Sequence, residues 1–167
     1  MTELEMTELF GVMILAWPNA ELFRGGIKKL EPTIRLWSAR TEDIDSWLGG
    51  QAIVRLIDTC KFPPTIAEFR DQAKTVADEI RQNINHVFRQ AKFYEHTGKG
   101  LNEWYRLLPE GSAEKITVGA MGGPAKMVTD DGLCWNYELY ARTYNRLIRN
   151  SNPITGDRGM FLPPGKD

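Results

Sequence analysis

From Thr65 onward the chain carries its longest helical pattern, and that pattern sets the limits on the fold. Thr65 and Glu68 form a T-x-x-E capping box, in which the hydroxyl serves a helical amide and the carboxylate reaches back to the cap. Phe69, Ala73, Val76, Ile80, Ile84, Val87, Phe88 and Ala91 then recur at steps of three and four, the period of one helix face. Running to about Glu95, such a helix reaches on the order of 45 Å at 1.5 Å per residue, more than a compact bundle of short helices needs. The expectation is a strut joining two halves, or a helix that bends near Asn83 and Asn85, both mediocre helix formers. The segment HTGKG, residues 96–100, is the linker candidate.

Upstream, Thr2 and Glu5 make another capping box, and Leu9, Phe10, Met13, Ile14 and Trp17 predict a helix from Thr2 to Ala16. Pro18 stops it, because the residue before a proline avoids helical angles. Glu31-Pro32 reads as the start of a second helix, with proline in the permitted first turn, ending near Thr41. TEDIDSW supplies turn and cap residues for a third, with Trp47, Leu48, Ile53, Leu56 and Ile57 inward and Gly49-Gly50 weakening its first turn. After the long helix, NEWYRLL and SAEKI predict short helices, GAMGGPAK a glycine-rich corner, and Leu133 to Arg149 a final helix. The last residues, SNPITGDRGMFLPPGKD, are rich in proline and glycine and read as a flexible tail that orders on binding. No stretch alternates apolar and polar residues long enough to demand a sheet. The fold class is all-α: an N-terminal helical bundle over residues 1–82, a connecting helix and linker over 83–100, a smaller C-terminal helical region over 101–150, and the tail over 151–167.

Several chemistries lack their residues. A P-loop needs GxxxxGK[ST], but Gly98-Lys99 is followed by Gly100, and Phe93 stands where the first glycine belongs. Gly119, Gly122 and Gly123 follow no predicted strand and read as a corner between helices. His86 and His96 stand ten residues apart, which does not aim both at one ion. Asp43 and Asp45, and later Thr129, Asp130 and Asp131, read as helix-start residues in place of paired carboxylates for proton transfer. The expectation is no catalytic residue, no metal site and no cofactor.

Composition narrows the partners. The 21 basic and 22 acidic side chains nearly cancel, leaving no whole-molecule field for nucleic acid or anionic lipid. Direct DNA binding and membrane association are therefore not expected. Cys60 and Cys134 lie far apart with no CxxC spacing, and the N-terminus is acidic where a signal peptide is basic. The location read from these features is cytoplasmic. On the last helix Tyr137, Tyr140, Tyr144 and Leu147 share one face and Arg142, Arg146 and Arg149 another. Such a stripe is either a core seam with a solvated edge or a docking surface, since tyrosine and arginine dominate interfaces. With Phe161 and Leu162 in the tail, Tyr137, Tyr140, Tyr144, Arg142, Arg146 and Arg149 are the candidate partner-binding residues.

One cluster carries a family likeness. KFPPTIAEFRDQ, Lys61 to Gln72, read with AWPN at Ala16 to Asn19 and the helix bearing Trp37, resembles the phage helicase loader/inhibitor family of the SPP1 type. The likeness covers roughly residues 5 to 80. Leu108-Pro109-Glu110, the Gly119 to Gly123 corner and the final helix resemble larger relatives more loosely. Phe62 is expected to anchor the turn in the core, Pro63 and Pro64 to stiffen it, and Thr65 with Glu68 to cap the next helix. The resemblance implies a protein without ATPase activity that binds a hexameric DnaB-type replicative helicase, host- or phage-encoded, and restrains it until delivery to an origin bound by the phage initiator. It also implies recognition through the C-terminal half. A small helical DNA-binding protein and a phage assembly adaptor are the alternative readings.

Overall fold

The computed structural model describes residues 1–130 and 132–150, except for the side chains of Ile27, Lys28 and Arg149. Its fold is all-α. Among the described residues seven helices run in the order α1 Glu3–Ala16, α2 Ile27–Arg40, α3 Ser46–Thr59, α4 Ile66–His96, α5 Gly100–Leu107, α6 Ala113–Ala120 and α7 Tyr137–Arg149. Short 3-10 turns at Glu21–Phe23 and Pro124–Met127 join them. The chain divides into two compact units, Met1–Glu79 and a second from Ile80 onward, so the division falls within α4. Residues 96–100 are the turn between α4 and α5 inside the second unit, with Gly98 and Gly100 at positive φ. Helix α4 is continuous over 31 residues, and Asn83 and Asn85 interrupt nothing.

The first unit is a bundle whose helix starts are chemically fixed. Thr2 and Glu5 form the full capping box, and the Thr65 hydroxyl and Glu68 carboxylate form the same pair at the head of α4. Asp45 caps α3 by accepting from the Trp47 amide at 3.1 Å. Asp43, expected to act likewise, instead pairs with both terminal nitrogens of Arg70 at 2.7 and 2.8 Å, which ties the turn before α3 to α4. Met6, Leu9, Phe10, Met13, Trp37, Ile53 and Phe69 fill the core. The Phe10 ring meets Trp37 edge-on at 5.4 Å, and Trp37 leans on Phe69 at 5.6 Å.

Two expectations fail here for local reasons. Helix α2 begins at Ile27 and not at Pro32, because Gly25 and Gly26, both at positive φ, make the break and Gly26 is the cap. Pro32 therefore sits past the first turn and leaves the Lys28 carbonyl without its helical donor. Gly49 is a packing requirement in place of a weak point. A Cβ there would stand 2.7 Å from the Met1 sulfur and 3.2 Å from Phe69 Cζ. The Met1 ammonium donates to the carbonyls of Thr41, Glu42 and Ile44 at 2.9, 3.1 and 2.9 Å, which fixes the start of the chain beside α3.

In the second unit the later part of α4 packs Ile84, Val87, Phe88 and Ala91 with Trp104, Val118, Met127, Tyr140, Tyr144 and Ile148 among its buried residues. Ser112 caps α6 through the Lys115 amide. The final helix starts at Tyr137, four residues later than expected. An isolated antiparallel bridge between Val128 and Trp135 stands there instead. Thr129 takes the hydroxyl role there, accepting from the Cys134 amide at 3.0 Å, and Asp130 pairs with Lys126 at 2.6 Å. The tail over 151–167 lies outside the described residues.

Candidate functional site

Two proline turns build an open groove in the first unit. Pro18 ends α1 just after Trp17, and Pro63-Pro64 holds the chain extended between α3 and α4. The Trp17 indole donates to the Cys60 carbonyl at 3.3 Å, which pins one turn against the other across 43 residues of sequence. Between them lies a cleft of about 620 Å³ lined by Ala16 to Leu22 and by Lys61, Phe62 and Pro63.

Phe62 does not anchor the core. Its side chain is 71% exposed at the edge of this cleft, with the Lys61 ammonium 5.8 Å from the ring centroid. The reason is local: buried Trp17 already fills the corner and holds the Cys60 carbonyl, and the chain bends at Lys61 and Phe62. Pro64 turns inward in its place, and Pro63 is half-buried. Thr65 and Glu68 are exposed capping residues, and the Thr65 amide, followed by its hydroxyl, holds the Glu68 carboxyl below the usual range.

The tyrosines of α7 make the opposite correction. Tyr140 is wholly buried and Tyr144 nearly so, which places both in the core of the second unit and removes them from any docking surface. Tyr140 meets Phe88 edge-on at 5.4 Å and stacks on Tyr144 at 6.1 Å. Among the described residues its hydroxyl has no partner in hydrogen-bond geometry; the neighbouring Thr117 hydroxyl donates to the Ala113 carbonyl and keeps lone pairs as an acceptor toward the surroundings of Tyr140. Burial, reinforced by the Glu114 charge, pushes the Tyr140 phenol well above its ordinary value. Tyr144 moves the same way and for the same first cause. Tyr137 is partly exposed, packing on Phe88 at 5.1 Å while its hydroxyl donates to Asn85 at 3.1 Å. Arg142 is exposed 3.8 Å from Glu138, and Arg146 is exposed. The Arg149 side chain, Phe161 and Leu162 lie outside the described residues.

A second cleft escaped the sequence reading. About 560 Å³ of space opens beside Phe93, Tyr94, Trp104, Leu107, Leu108 and Pro109, with Phe93 and Leu107 exposed. Its one signal in the sequence is Phe93, an apolar residue out of phase with the buried stripe of α4. The ionisable groups lining the first are Glu21 and Lys61, and Arg89 and Tyr94 line the second. Among the described residues no group of three or more His, Cys, Asp or Glu could hold a metal, and no helix is long and apolar enough to cross a membrane. His86 contacts Gln90, and His96 the Lys92 carbonyl. An apolar cleft with an exposed aromatic rim is suited to gripping another chain.

No family model, curated protein or solved structure matches the chain.

Proposed function

We propose that this chain is a phage DNA-replication accessory protein, acting in the cytoplasm of a bacterial host. It binds a DnaB-type hexameric replicative helicase, restrains it, and helps deliver it to an origin marked by the phage initiator. It does so without ATP turnover of its own. One observation carries the reading. The two segments behind the helicase-loader resemblance, Ala16 to Asn19 and Lys61 to Pro63, lie far apart in sequence yet line one cleft, and they present Phe62 outward. An exposed phenylalanine beside a proline-stiffened turn is a pre-organised anchor that loses little entropy on docking. Arg142 and Arg146, exposed on the second unit, speed encounter with an acidic partner surface.

Size-exclusion chromatography of the purified chain with hexameric helicase at physiological salt tests this. The expected result is a shared peak, lost with Phe62→Ala, and no ATP hydrolysis by the chain alone. Retention on DNA or on virion proteins with no helicase complex would overturn the proposal.

A further inference from the structure

The cleft of the second unit has an unmet demand in its wall. Phe93 and Leu107 stand 61% and 57% exposed on its rim, Tyr94 and Pro109 line it, and its space of about 560 Å³ falls in the range of ligand sites, roughly 300–1,000 Å³. Trp104 lines it too. That side chain is 2% exposed, yet among the described residues its indole N–H finds no acceptor. A buried donor without a partner is costly and rare, and marks a place where a carbonyl is missing. The one charged side chain lining the cleft is Arg89, so no carboxylate repels a carbonyl oxygen there.

Such a wall suits a short apolar segment that brings carbonyls and few amide donors. Proline offers a carbonyl and no N–H, and aromatic-lined grooves take proline-bearing segments because these are already extended and lose little entropy on docking. The chain carries one beyond α7, Phe161-Leu162-Pro163-Pro164, in which two apolar side chains precede the prolines. It is also tethered within reach. Ile148 near the end of α7 is buried, and α7 and the cleft both belong to the second unit. The roughly eleven residues from Asn150 to Phe161 span up to about 36–40 Å. A unit of about 70 residues has a radius of gyration near 11 Å, so that length covers its diameter. A segment linked this closely acts at an effective concentration on the order of millimolar, which fills even a weak site and sets a threshold for any separate competitor. We propose that Phe161 to Pro164 dock in this cleft of their own chain, with a carbonyl of the segment accepting from the Trp104 indole and its apolar side chains covering Phe93 and Leu107. The docked segment is an internal cover, which a partner using the cleft has to displace. The inference concerns the second unit and does not depend on the helicase reading.

Two-dimensional NMR of the full chain tests this through the Trp104 indole and the Phe93 and Leu107 amides. Phe161→Asp combined with Leu162→Asp touches no described residue, and unchanged signals from α1 to α3 and unchanged circular dichroism confirm that the fold is kept. In that variant the indole proton should move upfield, as on loss of a hydrogen bond, and both amides should shift. Leu107→Glu, at the exposed rim, should displace the indole signal in the same direction. A synthetic peptide of residues 157–167, added to the aspartate variant at roughly millimolar concentration, should move the signals back, and a scrambled peptide should not. The wild-type pattern should not change on dilution, as docking within one chain requires. Cleft signals that are the same in wild type and the aspartate variant, or that the peptide leaves unmoved, would overturn the proposal. A wild-type pattern that changes with dilution would assign the cleft to the segment of a second copy and overturn docking within the chain.

Discussion

The two units differ in where they keep their aromatic and polar groups. In the first, capping boxes at α1 and α4 and the Asp43–Arg70 pair work at the surface, and the buried polar groups that bond, the Met1 ammonium and the Ser38 and Thr41 hydroxyls, bond to backbone carbonyls beside the Phe10, Trp37 and Phe69 rings. The second buries polar tips as well: among the described residues the Tyr140 hydroxyl and the Trp104 indole N–H have no hydrogen-bond partner. Phenylalanine at position 62 faces water, whereas tyrosine at position 140 faces inward. Residue type alone would assign those two the other way round. What decides is the corner each occupies: Trp17 has taken the place open to Phe62, and Phe88 offers Tyr140 a ring to pack on.

Stability of single variants sharpens this contrast. Phe69→Ala should cost about 3–5 kcal/mol, as for a buried phenylalanine. Phe62→Ala should cost under ~0.5 kcal/mol, the range of a surface change. Chemical denaturation of both reads the difference; equal losses would mean that Phe62 packs inside after all. Gly49→Val should cost about 1–3 kcal/mol through crowding against Met1 and Phe69. If thermal unfolding shows Gly49→Val as stable as wild type, the close approach of α3 to Met1 is wrong.

Acid and alkali should separate the units. Glu5, Asp43 and Glu68 have lowered values, held respectively by the Thr2 amide, the Arg70 side chain and the Thr65 amide. A lowered carboxylate stabilises the fold above its unfolded value and loses that contribution as pH falls through its folded one. The first unit should therefore weaken below the ordinary values of 4.5 for glutamate and 3.8 for aspartate. Tyr140 and Tyr144 are raised by burial, so their contribution is complete below 10.0 and declines as pH rises beyond it. Amide exchange followed helix by helix should show α1 and α3 opening first in acid and α6 and α7 first in alkali; the reverse order would break the comparison. Tyr140→Phe removes a buried hydroxyl without a partner among the described residues and should leave stability unchanged or raise it by up to ~1 kcal/mol. A loss of that size in a melting experiment would reveal a partner for the hydroxyl.

Much of the fold was legible because its signals are local. Capping boxes at Thr2 and Thr65, the stripe from Phe69 to Ala91, and the cap before α3 depend on neighbours within a turn or two, and the helices form where those signals stand. The start of α2 was misread because a proline was given priority over two glycines that make the actual break. The site was legible in part only. AWPN and KFPP were visible as motifs, yet their meeting depends on tertiary packing and on the Trp17 indole-to-Cys60 carbonyl bond, which no periodicity records. The α7 tyrosines show the same limit. A 3-4 stripe states that residues share a face, and packing decides whether that face is core or surface.

Under the proposed function Phe62 is the anchor for the partner, and its exposed ring adds almost nothing to the fold. Titrating hexameric helicase with the wild type, with Phe62→Ala, and with Arg142→Ala combined with Arg146→Ala measures its share of recognition. The prediction is a loss of roughly thirtyfold or more in affinity for Phe62→Ala, the scale of a binding hot spot, with its melting temperature unchanged. The arginine variant should chiefly slow association. Full affinity in Phe62→Ala, with binding lost in the arginine variant, would contradict the account and move recognition to the second unit.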